Sequence, residues 1–291
     1  MNSKTCFHPF GGTKQPCYLV KYMSACTGKK VVDNMTMRWS GFDSVNDPRE
    51  YTLQCWDEPS SEEYPEPYGQ YWRKLKDKRL LAQFFSHDFK EDVDKYEKSI
   101  KNVLMWAHYG DGQEGVCIVY KTEQIKKCCF ENFKYSTWGP LEYQCGGAFF
   151  NNNAFMIPQE VQQQKNKIDA LAKFIFKSTS QFFFFRKVDD WKDENEYRFL
   201  VFSENEVTKD YKDINIAYDC IEAIVLGDKN KDIGWWVANL NGTGIKLKKI
   251  KYDTNKNIFR ILDINEENQN NKINYYNRWR MPLKLRNIRD D

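Results

Sequence analysis

The stretch over residues 194–202, ENEYRFLVF, constrains the fold more than any other part of the chain. Strand alternation sets Glu194, Glu196 and Arg198 on one face and Asn195, Tyr197 and Phe199 on the other. From Phe199 to Phe202 both faces are apolar. A strand that is apolar on both faces belongs inside a sheet covered on each side, so the chain needs further strands and helices to cover them.

Those strands are readable as short runs rich in β-branched and aromatic residues between turn formers: residues 18–22, 31–39, 80–86, 115–121, 130–135, 220–227, 244–252 and 257–262. Helices are expected over residues 90–106, 122–128 and 232–240. A longer one is expected over 159–186, where Ile168, Leu171, Ile175, Phe182 and Phe185 recur at helical spacing. Turn-forming segments at residues 40–50, 58–68 and 139–153 read as loops, the last as a lid or an exposed loop. Strands and helices do not alternate strictly, and no internal repeat or linker is visible. The expectation is an α+β fold with a mixed, mostly antiparallel sheet and a long helix packed on it. Its boundaries are an N-terminal coil over residues 1–17, one domain over 18–262 and a basic tail over 263–291.

At 291 residues the chain can bury a core without disulfides or metals, and its 16% aromatic content supplies that core. With 44 Lys plus Arg against 41 Asp plus Glu, the charge is too near balance to demand a nucleic-acid or membrane partner. The nine cysteines are scattered and lack paired metal-ligand spacing, so they read as reduced thiols in a cytoplasmic protein. With three histidines and no Cys-x-x-Cys, no metal site is expected. No apolar run reaches signal-peptide or membrane-helix length, so no membrane partner is expected.

Two clusters could carry chemistry. Glu194, Glu196 and Arg198 form a polar rim leading into a buried strand, where burial and like charge can tune a carboxylate for catalysis. The bland reading is that Arg198 neutralises its neighbours and closes the strand end. The second cluster is Met105-Trp106-Ala107-His108-Tyr109-Gly110, which ends a helix just before the GVCIVYK strand. His108 there is a cap, a core residue or a proton carrier, while Trp106 and Tyr109 could wall a site for a flat ring.

Four motifs in order and spacing resemble those of a bacterial family known as domain of unknown function 2971. They are Asn46-Asp47-Pro48-x-Glu50, Phe85-Ser86, Met105-Trp106-x-His108-Tyr109 followed by Gly115-Val116-Cys117, and Trp191-x-x-Glu194-x-Glu196-Tyr197-Arg198. The similarity spans residues 18–252, with Gln113 standing where the family shows a second His. The resemblance implies a bacterial protein and leaves its activity open.

Glu-x-Glu is also similar to the acidic motif of arginine-specific ADP-ribosyltransferases. That analogy makes Glu196 the stabiliser of an oxocarbenium-like centre and Glu194 the group that steers an acceptor, with His108 as a third catalytic candidate. Trp106, Tyr109 and Arg198 would then hold NAD, the co-substrate, and the acceptor would be a protein or nucleic acid. Such a protein would be an NAD-cleaving effector, a toxin or a defence factor. The first strand carries Lys21 where that analogy wants Arg, and Ser178-Thr179-Ser180 falls in a helix. The competing class is a non-enzymatic module whose loops bind a protein or a small ligand, a nucleotide among them.

Overall fold

The computed structural model describes residues 5–7, 15–41, 75, 79–87, 96–144, 159–180, 184–207 and 211–264. The tail at 265–291, the loop at 58–68, the Asn46–Glu50 motif, and most of the expected N-terminal coil and of the 139–153 loop lie outside these residues.

The strands are β1 (Thr5–Phe7), β2 (Tyr18–Met23), β3 (Thr36–Ser40), β4 (Leu80–His87), β5 (Val116–Lys121), β6 (Tyr135–Pro140), β7 (Glu142–Gln144), β8 (Arg186–Val188), β9 (Glu196–Phe202), β10 (Tyr211–Asn215), β11 (Ile221–Leu226), β12 (Lys246–Asp253) and β13 (Ile258–Asp263). The helices are α1 (Ala25–Asn34), α2 (Glu97–Ile100), α3 (Val103–His108), α4 (Thr122–Asn132), α5 (Gln159–Gln162), α6 (Lys167–Phe174) and α7 (Ile233–Leu240). One sheet runs β1-β6-β9-β4-β2-β5-β11-β12-β13, with β3 joining β4 and β10 joining β3. Its pairs are antiparallel except β1–β6 and β11–β12, and a small parallel pair, β7–β8, lies apart. This is the α+β architecture, mixed and mostly antiparallel, that the strand pattern predicts.

β9 sits between β6 and β4, and all seven of its residues are buried. The two faces of the sheet are covered differently. On one, Leu81, Phe85, Tyr197, Phe199 and Ile224 pack with Trp39, Val32, Ile125 and Trp236 in a single large cluster under α1, α4 and α7. The other face carries two clusters. Leu80, Ala82, Leu200 and Phe202 meet Leu171 and Phe176, while Val20, Tyr22, Val119 and Val225 meet Met105 and Trp106. Between these clusters in the strand order lie Phe84 and Ser86 of β4, which face Arg198 and Glu196 of β9 in register. Polar groups thus occupy the seam between two apolar cores.

Five local readings change. Residues 5–7 of the expected coil form β1, paired with β6, and the helix expected over 90–106 is interrupted between α2 and α3, where Asn102 takes an extended backbone to cap α3. Residues 31–34 close α1 instead of opening a strand, because Ser24 caps the helix by accepting from the Thr27 N–H at 3.2 Å and Met35 ends it at φ 45°. α4 runs on to Asn132, so Phe130 lies on a helix, 51% exposed, and β6 begins later. The helix expected over 159–186 is broken into α5, α6 and a π-helical turn at Ile175–Thr179, and the chain has turned to strand at Arg186. Phe184 and Phe185 lie in a buried cluster that either conformation could serve, so periodicity alone does not separate helix from strand.

Candidate functional site

The pocket at the seam has a volume of about 330 Å³, and the motif residues Phe85, Ser86, Met105, Tyr109, Glu194, Glu196 and Arg198 line it with Lys21, Lys187 and Tyr22. That volume is at the lower end of the range for small-molecule sites. Residues from four separated parts of the chain meet there because β4 joins β2 to β9, and α3 approaches over the top. Asn102 fixes that approach. Its Oδ1 accepts from the N–H groups of Leu104 and Met105 to cap α3, and its Nδ2 donates to the Asp193 carbonyl at 2.7 Å. α3 is thereby tied to the 3-10 turn at Asp189–Glu194 that delivers the first glutamate.

The two glutamates are not successive inward positions of one strand. Asn195 adopts φ 47° and ψ 54°, so β9 begins only at Glu196. Asn195 is held by its side-chain amide, which donates to the His87 carbonyl, and by the His87 N–H, which donates to its own carbonyl at 3.1 Å. The bend still leaves both carboxylates on Lys187, whose Nζ lies 2.6 Å from Glu194 Oε2 and 3.3 Å from Glu196 Oε2. Tyr109 donates its hydroxyl to Glu194 Oε1. Arg198 Nε donates to Glu196 Oε1 at 2.8 Å, and its Nη1 to the Phe184 carbonyl at 2.6 Å.

Arg198 is 1% exposed, Glu196 5% and Lys187 9%. Burial pushes the Glu196 carboxyl up, but the adjacent Arg198 and Lys187 charges outweigh it and hold the group below the usual carboxylate range. Glu196 is therefore an ionised carboxylate with both oxygens engaged. The Tyr143 hydroxyl accepts from the Glu196 N–H at 2.8 Å and fixes the start of β9. Burial raises the Tyr143 phenol far out of the titrating range.

Of the sequence-predicted site residues, Glu194, Glu196, Arg198 and Tyr109 come together on the pocket. Trp106 lies behind it. Its indole is fully buried, donates to the Ile100 carbonyl at 2.7 Å and packs edge-on against Tyr22 at 5.0 Å. His108 is exposed at the end of α3 with its ring 6.1 Å from that of Tyr109, and it is not among the residues lining the pocket.

Lys187 and Lys21 were missed as site residues. Lys187 follows the FFFFR run at the nominal end of a helix, where a lysine reads as a solvated terminus. Lys21 drew notice only as a mismatch to arginine, although a lysine in an otherwise apolar strand, YLVKYM, was itself a signal. Burial pulls its ammonium down to about 8 against the opposing attraction of Glu196. Among the described residues no group of three or more His, Cys, Asp or Glu side chains could hold a metal ion. No helix among them is long and apolar enough to cross a membrane.

Fold and pocket define an α+β protein with a small, charged, aromatic-walled site at the seam of its central sheet. Residues 105–199 match the model of the family described as Protein of unknown function (DUF2971), and this stretch contains the Met-Trp-x-His-Tyr and Trp-x-x-Glu-x-Glu-Tyr-Arg motifs. No curated protein and no solved structure matches the chain.

Proposed function

We propose that the seam pocket is a binding site for a small molecule of the nucleotide class, taking a flat ring against Tyr109 and Tyr22 and an anionic group among its cations. The observation that supports this reading is the convergence of three sequence motifs, otherwise far apart in the chain, on one open pocket. Its charge favours an anion. Lys21, Lys187 and Arg198 supply three positive charges against the two of Glu194 and Glu196, a surplus of one. Aromatic side chains and a few convergent polar groups are the usual make-up of such a site. Thermal denaturation with millimolar AMP and nicotinamide mononucleotide tests it. A raised midpoint that Tyr109→Ala removes is expected; no shift with either ligand would overturn it.

A second reading, glycosidic cleavage of NAD, is favoured by the ionised state of Glu196 on the pocket wall. A fixed carboxylate there would stabilise an oxocarbenium-like centre, with Glu194 directing the acceptor. The closed ion pairs weigh against it, because both Glu196 oxygens already face cations and a net-positive pocket disfavours a developing positive charge. Nicotinamide release from NAD by the parent protein, with labelled transfer to a lysate protein or nucleic acid, tests this reading. Release that Glu196→Asp abolishes in a folded protein would make cleavage the better account, and absence of release sinks it.

A further inference from the structure

We propose that Ser86 and Glu196 read the polar edge of the bound ring, the serine hydroxyl donating to an acceptor atom of the ring and the carboxylate accepting from an N–H beside it. The inference rests on the nucleotide-site reading above. It narrows the ligand to a flat ring carrying an acceptor and an N–H side by side, as the amino edge of adenine and the carboxamide of nicotinamide both do.

The sheet register sets the two side chains next to each other. Ser86 of β4 is the direct antiparallel partner of Glu196 of β9, and residues paired in this way project from one face with their Cβ atoms about 5 Å apart. Across the other edge of β4 the partner of Ser86 is Val20. One row across the sheet therefore reads Val20, Ser86, Glu196, and all three residues line the pocket. The β2–β4 register ends with Val20, and Tyr22, two residues on, stands on the same face of β2 as Val20. A ring lying against Tyr22 and Tyr109 has its edge toward this row.

Ser86 is the group that calls for a ligand. It is 3% exposed, and its Oγ has no hydrogen-bond partner among the described residues. Buried hydroxyls without a partner are uncommon, and this one lies on the wall of an open pocket. The neighbouring carboxylate does not engage it, since Glu196 Oε1 accepts from Arg198 Nε and Oε2 from Lys187 Nζ. A carboxylate has about four acceptor sites and these bonds fill two, so Glu196 can accept from a ligand while its ion pairs stay closed. The pairing also fixes the polarity of what fits. An ionised carboxylate only accepts, so the ligand atom beside it must carry a hydrogen. The Ser86 hydrogen, with no acceptor among the described residues, is left to donate to the next atom along.

Calorimetric titration of the full chain with two ligand pairs tests the assignment. One pair is AMP and its 1-deaza analogue, which lacks the ring acceptor. The other is nicotinamide mononucleotide and the mononucleotide of unsubstituted pyridine, which lacks the carboxamide. The parent should prefer the first member of a pair by about tenfold, because an analogue without the polar edge leaves buried groups unpaired. Preference in the first pair marks a purine edge, and in the second a carboxamide. Ser86→Ala should shrink that preference several-fold and leave the affinity for the second member in place. The same variant should keep or raise the thermal midpoint of the free protein, because it deletes an unsatisfied hydroxyl, whereas a structural role would lower it. Binding without either preference, a preference undiminished in Ser86→Ala, or a clear fall of its midpoint overturns the subsite and leaves the nucleotide site standing. Absence of binding by all four ligands overturns both.

Discussion

The ion pairs around β9 and those along the outer strands β11, β12 and β13 use the same side chains and do opposite things. On the outer strands Lys246 meets Glu222 at 2.5 Å, Lys248 meets Asp263 at 3.1 Å and Arg260 meets Asp253 at 2.7 Å, and each pair has one member more than a third exposed. Water screens them, the long side chains lose freedom in forming them, and each contributes under about 1 kcal/mol. Around β9 the pairs are buried between two apolar clusters, where a charge without its partner cannot turn to water. Distances of similar length therefore carry different weights. Burial, and not the N···O separation, decides which pairs the fold depends on.

The largest effect is expected at Arg198. Removing its guanidinium by Arg198→Ala leaves Glu196 buried with Lys187 alone at 3.3 Å, and stability should fall by about 3–5 kcal/mol in urea denaturation. A loss under about 1 kcal/mol would place the network with the outer pairs. Glu196→Gln should also lose stability clearly, because Glu196 is 5% exposed and Arg198 would keep its charge and lose its carboxylate.

Acid comes next. Burial lowers the His87 imidazole to about 4, below the ordinary 6.5. Below pH 6.5 the unfolded chain takes up a proton that the folded chain refuses, so stability declines from about pH 6.5 and levels off below about 4. The decline should amount to about 3 kcal/mol. Glu196, held ionised in the fold, adds a further loss below the usual carboxylate range. The check is a urea midpoint series from pH 7.5 to 4, in which His87→Gln should flatten the upper part of the decline.

A smaller effect is expected at the bend between the glutamates. Asn195→Val places a β-branched residue at φ 47° and removes the amide bond to the His87 carbonyl, for a loss of about 2 kcal/mol. Asn195→Gly should lose less, because only the side-chain bond goes. At the small end, Lys246→Met should change stability by less than about 1 kcal/mol, and 0.5 M salt should erase most of that difference.

How well residues announced their structure followed the same division between burial and exposure. Central strands were readable because a run such as LLAQFF or GVCIVY is too apolar for any exposed element and too short for a membrane helix. The failures came where two conformations bury the same side chains. Phe184 and Phe185 lie in the cluster with Phe176, a place that a helix or a strand could fill, and only the start of β8 at Arg186 separates the two. Val31 and Val32, being β-branched, read as strand, whereas the structure holds them in α1, which Ser24 caps by accepting from the Thr27 N–H. At the site, the acids and Tyr109 stood out as local clusters. Lys21 and Lys187 did not, because a cation on an apolar strand or after an aromatic run becomes conspicuous only when a three-dimensional neighbour is known.

The left-handed residue between the two glutamates also sets what kind of sequence can share this architecture. In a straight strand any residue is tolerated at the middle of Glu-x-Glu, and β-branched ones are favoured. Here the middle residue turns the backbone through φ 47°, a conformation open to Asn, Asp and Gly at little strain and costly for Val, Ile or Thr. The amino acid at that one position thus works as a spelling rule. A chain with Glu-Asn-Glu or Glu-Gly-Glu ahead of an apolar strand can set its two acids around a bend onto one lysine, whereas Glu-Val-Glu specifies a continuous strand with its acids arrayed along one face.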